Sequence, residues 1–202
     1  LRSPMASIRM VLNLVVQTVS PEAIGPEMYY LIDKANRETE ETHDLLDNLL
    51  KWTKSQTGRL KVAFQEFEIS DVITGVADIF SLIAETKKIK LTTEYLEEGL
   101  KVRADKDMLN TVLRNFLSNA IKFSNEDSSI EIVVSRKDNF AKVGIRDHGV
   151  GIAPDRIDSI FHKGETTYGT NNEEGSGLGL QLCKDFAVKN GGDVMVESVV
   201  GE

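Results

Sequence analysis

Three groups of residues in this chain combine side-chain types and spacings able to hold a phosphorylated nucleotide. Asn115, Asn119 and Lys122 recur at i, i+4 and i+7, so they share one stripe of any helix that carries them. Neutral amide oxygens ligate Mg2+ without adding negative charge beside a polyphosphate, and a lysine one turn on reaches a phosphate oxygen. Asp147 is followed by Gly149 and Gly151. A carboxylate there accepts a hydrogen bond from an exocyclic base amine, and the glycines let the backbone lie flat against a ring. Gly175, Gly177 and Gly179 sit where a helix begins near Leu178, so unpaired N–H groups and the positive end of a helix dipole are available to phosphate. Taken singly, the first group is better read as a solvated helix face and the second as an ordinary Asp-x-Gly turn. Their fixed order along the chain is what gives them weight.

The elements that must position these residues follow from periodicity. Asp105 is placed to cap a helix running through Phe123, with Val112, Leu113, Phe116, Leu117, Ala120 and Ile121 as its buried face. Strands are expected over Gln65–Ile69, where Phe67 and Ile69 share a face, and over Ile89, Leu91, Thr93 and Tyr95. Ile130, Ile132 and Val134 mark another strand, and Val143 and Ile145 mark one that leads into Asp147. Ser70 reads as the cap of a helix carrying Val72, Ile73, Val76, Ile79, Phe80 and Ile83; the last helix carries Leu182, Phe186 and Val188, and a strand follows from Val194 to Ser198. This irregular alternation predicts a two-layer α/β sandwich with helices on one face of a mixed sheet. The stretch from His162 to Ser176 has no apolar period and reads as a mobile loop beside the glycines.

Residues 5 to 58 follow a different pattern. Met5, Ile8, Leu12, Val15 and Val19 mark one helix up to the Ser20-Pro21 break. A second, from about Pro26 to Ser55, carries Leu31, Ala35, Glu38, Thr42, Leu45, Leu49 and Trp52 at alternating spacings of four and three, widened by Leu46 and Leu50. Two helices cannot enclose faces that wide, so the hairpin is expected to pair with its copy in a dimeric four-helix bundle; packing against the rest of the chain is the alternative. The chain is therefore read as α+β, with a hairpin domain over 1–60 and a second domain over 61–202.

Composition narrows the function classes. A net charge of −8 over 202 residues argues against a nucleic-acid or anionic-membrane binder. No run approaches the ~18 apolar residues of a spanning helix, so this stretch is expected to make no direct membrane contact and to be cytoplasmic, with any inner-membrane anchor upstream. Cys183 is the single cysteine, which leaves no disulfide or cysteine metal site.

The ordered motifs resemble those of a known family. Asn115-Phe116-Leu117-Ser118-Asn119-Ala120-Ile121-Lys122-Phe123 is similar to the N box, and Asp147-x-Gly149-x-Gly151-Ile152 to the G1 box. Phe161 resembles the F box and Gly175-Ser176-Gly177-Leu178-Gly179-Leu180 the G2 box. This is the signature of the sensor histidine kinases of two-component systems, within the Bergerat-fold ATPases. Leu1-Arg2-Ser3-Pro4 resembles the tail of the H box, and the hairpin the dimerisation and histidine-phosphotransfer domain.

The resemblance implies ATP and Mg2+ as cofactors. Asn119 and Asn115 would coordinate the metal, Lys122 would contact phosphate, and Asp147, with Gly149, Gly151 and Ile152, would recognise adenine. Gly175, Gly177, Leu178 and Gly179 would meet the phosphates, with Phe161 anchoring a lid from His162 to Ser176 on which Lys163 is a candidate cation. Asn115 and Lys122 would carry the catalytic roles in moving the γ-phosphoryl group to a histidine and then to an aspartate on a response-regulator receiver domain. That histidine would lie two residues before Leu1. His43-Asp44-Leu45 imitates the start of an H box but continues Leu46-Asp47-Asn48, so His43 is read as an ordinary helix-surface residue. A hydrolytic ATPase of the same superfamily places a glutamate where Asn115 stands, and an amide cannot serve as that base. A dimeric ATP-binding interaction module without turnover is the competing reading.

Overall fold

The structure, a computed structural model, describes residues 2–57, 60–161, 169–170 and 177–201. The chain folds as two compact units, Leu1–Leu60 and Lys61–Glu202.

In the first unit α1 (Arg2–Thr18) packs against α3 (Pro26–Gln56), and a single turn, α2 (Pro21–Ile24), lies between them. The sequence predicts only a break there. Pro21 and Pro26 each stand at the first turn of their helix, where the missing N–H has no intrahelical partner to lose, and Gly25 between them takes φ +81°. Much of the predicted apolar stripe is uncovered in the single chain: Leu31 is 56% exposed, and Leu45, Leu49 and Leu50 are exposed with it. Asn36 is buried, 7% exposed, and its Nδ2 donates to Asn13 Oδ1 at 2.9 Å across the two helices. Among the described residues the Asn36 Oδ1 finds no partner.

The second unit has two sheets. β1 (Phe64–Glu68) pairs antiparallel with β3 (Lys101–Asp105). β2 (Lys90–Tyr95) runs parallel to β4 (Ser129–Lys137), which pairs antiparallel with β5 (Phe140–Asp147), so the three-stranded sheet is mixed. α4 (Ile69–Thr86) and α5 (Lys106–Phe123) pack against each other and against this sheet, and α6 (Gly179–Lys189) packs on α5. Ile73, Leu117, Ile130, Ile132 and Val134 are fully buried at the centre of this α+β core. No helix among the described residues is long and apolar enough to cross a membrane.

Several sequence expectations are corrected here. Ile69 begins α4 rather than ending β1, and Glu68, not Ser70, occupies the cap position. The short β3 was not expected, because Val102 is its one strongly apolar residue and an edge pair needs little more; Arg103 stacks over the Phe64 ring at 5.4 Å instead. Residues 194 to 198 pair with no strand among the described residues. Phe116 is only half-buried, and Val188 is 58% exposed because α6 turns Leu182, Cys183 and Phe186 inward. Cys183 lies in the core, its thiol pushed up to about 12 by burial.

Asp105 holds α5 in place. Its Oδ1 accepts from the N–H groups of Asp107 and Met108 at 3.1 and 3.0 Å, and its Oδ2 from Ala63 N–H at 2.8 Å. Replacing Asp105 with alanine is expected to remove about 1–2 kcal/mol of stability. A thermal melt of Asp105→Ala checks this, with Tm lowered by roughly 3–8 °C.

Candidate nucleotide-binding site

Strand alternation places Asp147. Val143, Ile145 and Asp147 share one face of β5, opposite Val134, Ile132 and Ile130 of β4, all three of which belong to the core. The carboxylate thus emerges at the edge of the apolar layer. Burial pushes its pKa above the ordinary aspartate value, opposed by the Gly149 N–H it accepts at 3.0 Å and by the neighbouring charge of His148.

The loop after Asp147 is fitted against the end of α5. Val150 N–H donates to Phe123 O at 3.2 Å, and Ser124 bridges Gly149. A methyl group on Gly149 would lie 2.5 Å from that same Phe123 O and 2.8 Å from Asp147 Oδ1. Gly151 takes φ +69°, and a Cβ there would overlap the backbone oxygen of Val199. Ile152 N–H donates to Ser198 Oγ at 2.9 Å, and Gly201 N–H to Val150 O at 3.1 Å, so residues 198 to 201 line the loop on its other side.

Along α5, Asn115 Nδ2 donates to Thr111 O at 2.8 Å. That bond assigns the amide's orientation and leaves its oxygen, the atom a hard cation prefers, at the start of α6, where a Cβ on Gly179 would stand 2.5 Å from Asn115 Oδ1. Gly177 takes φ +64° and Leu178 is buried as the residue before the helix. Asn119 and Lys122 are half-buried one and two turns further on, and Lys122 Nζ stands 4.9 Å from the Phe123 ring centroid. Phe161 is half-buried under Lys184 of α6, with Nζ 5.4 Å from its ring. Gly175, His162 and Lys163 lie outside the described residues, as does the 162–176 stretch apart from 169 and 170.

The fold therefore brings Asn115 to Gly179, Asp147 to Gly149, the Gly149–Val150 turn to the end of α5, and Phe161 to α6. Among the described residues no hydrogen bond joins Asn119 to the glycines. The amide oxygens of Asn115 and Asn119 are neutral hard donors of the kind Mg2+ accepts beside phosphate oxygens. Gly149, Gly151 and Gly179 have no room for a Cβ because the protein's own atoms fill that space, so these glycines let the loop after β5 and the start of α6 pack closely on α5 and on residues 199 and 200. The sequence reading missed the contacts of Ser198 and Ser124; a serine beside a strand or helix end carries no periodic signal that separates it from one facing solvent.

Residues 104–202 match the family described as "Histidine kinase-, DNA gyrase B-, and HSP90-like ATPase". Over that stretch the chain carries this ATPase domain, and the relatives it matches are sensor kinases. It is 27% identical over its whole length to the sensor histidine kinase ZraS of Escherichia coli strain K12, spanning 41% of that protein. It is 26% identical to the alginate biosynthesis sensor protein KinB of Pseudomonas aeruginosa, again over its whole length and 33% of the relative. The chain thus spans about a third to two-fifths of these relatives. Full-length ShkA in complex with AMPPNP shares the fold over all of this chain and 41% of its own, with TM-score 0.75 at 23% identity. The catalytic domain of the histidine kinase ThkA aligns with 63% of this chain and 82% of its own, with TM-score 0.58 at 27% identity.

Proposed function

We propose that this chain is the kinase core of a two-component sensor. It binds ATP with Mg2+ in the Lys61–Glu202 unit, passes the γ-phosphoryl group to a histidine associated with the hairpin, and from there supplies an aspartate on a response regulator. The observation that carries this reading is the meeting of Asn115 Oδ1 with Gly179 at the start of α6, where a metal ligand and the phosphate-facing end of a helix converge. The same residue argues for transfer over hydrolysis, because an amide cannot take a proton from water.

Phosphoryl transfer passes through a loose transition state, so the protein's task is to position groups and neutralise charge. Asp147 accepts from the adenine amine and fixes the base. Gly177 and Gly179 would let the backbone approach the phosphates, Lys122 would contact a phosphate oxygen, and Asn115 and Asn119 would hold the metal with their amide oxygens. Mg2+ bound there would offset the negative charge of the phosphate oxygens. Phe161, with Lys184 Nζ 5.4 Å from its ring, belongs to the phosphate end of the same site. The exposed Leu31, Leu45, Leu49 and Leu50 favour a homodimer through the hairpin. ThkA has been crystallised in complex with the response regulator protein TrrA, and ShkA with AMPPNP, which supports the partner and the nucleotide.

Calorimetric titration with AMP-PNP, with and without Mg2+, tests the site. Mg2+ is expected to tighten binding by about tenfold, ~1.4 kcal/mol, and Asn119→Ala to lose that gain while still binding the metal-free nucleotide. ATP-dependent labelling of a separate hairpin that carries the histidine then tests transfer. Binding without any labelling would leave the interaction-module reading in its place.

A further inference from the structure

The end of α5 is capped by groups from three other parts of the second unit. The last four carbonyls of any helix lack intrahelical donors, and here each has a partner. Ala120 O receives Ser124 N–H at 3.0 Å and Phe123 O receives Val150 N–H at 3.2 Å. Ile121 O and Lys122 O both receive the Lys87 ammonium, at 2.9 and 3.1 Å. Thr170 completes the cluster: its N–H donates to Lys122 O at 3.1 Å, and its hydroxyl accepts from Lys87 Nζ at 2.6 Å and donates to Ser124 O at 2.9 Å.

Lys87 is an unusual residue for this position. It follows α4 in a turn closed by Lys88 N–H to Glu85 O and Ile89 N–H to Ala84 O, both at 2.9 Å, and it is only 7% exposed. Burying an ammonium sacrifices hydration and side-chain freedom, so a methionine would fill the same space with a smaller penalty. What the cation supplies, and hydrocarbon does not, is a tie between carbonyls at the negative end of a helix dipole and the Thr170 hydroxyl.

We infer that Lys87 and Thr170 are positioning residues of the nucleotide site. They fix the backbone of residues 121 to 124, and with it the placement of Lys122 and of the Gly149–Val150 turn that hangs on Phe123 O. This rests on the nucleotide reading proposed above and assigns to it two residues that touch neither metal nor base.

AMP-PNP titration of the whole chain, paired with thermal melts, tests the assignment. Lys87→Met and Thr170→Val are each expected to weaken binding about tenfold at a temperature where both remain folded, and Lys87→Arg to recover at least part of the loss. The double variant should be no more than about twofold worse than the weaker single, because both changes act on the same carbonyls. In a Lys122→Ala background, Lys87→Met should lose the part of its effect that runs through the Lys122 side chain and keep the part that runs through the Gly149–Val150 turn. Unchanged affinity in folded variants, or losses that multiply in the double variant, would overturn the inference and leave a purely structural cap. Should Lys87→Met fail to fold, Thr170→Val, which keeps the lysine and its two carbonyl bonds, decides the matter alone. Wild-type protein that binds no AMP-PNP overturns the nucleotide reading itself, an outcome distinct from binding that ignores Lys87 and Thr170.

Discussion

Asp147→Asn is expected to bind AMP-PNP about ten- to a hundredfold more weakly than the wild type while its nucleotide-free form melts at a higher temperature. The two effects have one cause. The carboxylate stands at the edge of the apolar layer, on the face of β5 it shares with Val143 and Ile145, and burial disfavours its charge. Removing that charge relieves the empty protein. It also replaces an acceptor by an amide whose NH2 group opposes an adenine amine, forfeiting a charge-assisted hydrogen bond of roughly 1.5–3 kcal/mol.

The same carboxylate sets a pH dependence of definite sign. Its pKa in the folded state lies above the ordinary aspartate value, so its contribution to stability is fully present at low pH and is lost as pH rises from that ordinary value through the raised one. Melting the wild type and Asp147→Asn across that window checks the claim. The difference between them should be smallest at the acid end and grow in favour of the variant as pH rises.

Gly151→Ala should be the most damaging single methyl in the site. Its left-handed φ of +69° disfavours any side chain, and the added carbon would clash with the backbone oxygen of Val199, which cannot swing aside as a side chain would. Backbone strain of ~1–2 kcal/mol and overpacking of ~1–3 kcal/mol together predict a loss of about 2–5 kcal/mol. Gly75→Ala provides the opposite case within the same unit. It lies inside α4 with nothing within 4 Å of an added Cβ, so alanine should stabilise the helix by about 0.5–1 kcal/mol. Paired denaturant titrations of the two variants should therefore move to opposite sides of the wild type.

What could be read from the sequence was whatever repeats along one element. The cap at Asp105, the buried face of α5 and the run of Val143 and Ile145 into Asp147 are local patterns, and the structure reproduces them with Phe116 as the exception. The order of Asn115, Asp147 and the glycines is legible for the same reason. Features fixed by distant chain segments were not legible. Nothing local separates Lys87 from Lys88 beside it, yet the first is buried among carbonyls and the second is exposed at φ +55°. The strand expected from Val194 to Ser198 has the right residues, but a strand also needs a neighbour with free hydrogen-bonding groups, and the described part of the sheet pairs elsewhere.

The amide pair in the hairpin bears on how its two helices can move. Apolar stripes of the kind found in α3 are nearly self-similar under a slide of one turn, 5.4 Å along the axis, and leucine facing leucine imposes little resistance to such a step. Asn13 and Asn36 break that degeneracy. A one-turn slide would separate Asn36 Nδ2 from Asn13 Oδ1 and turn a buried amide toward hydrocarbon, at a cost of about 1–3 kcal/mol. The hairpin is thus keyed: α1 and α3 share a register mark, and sub-turn shifts that keep the 2.9 Å contact are the cheap movements left to them.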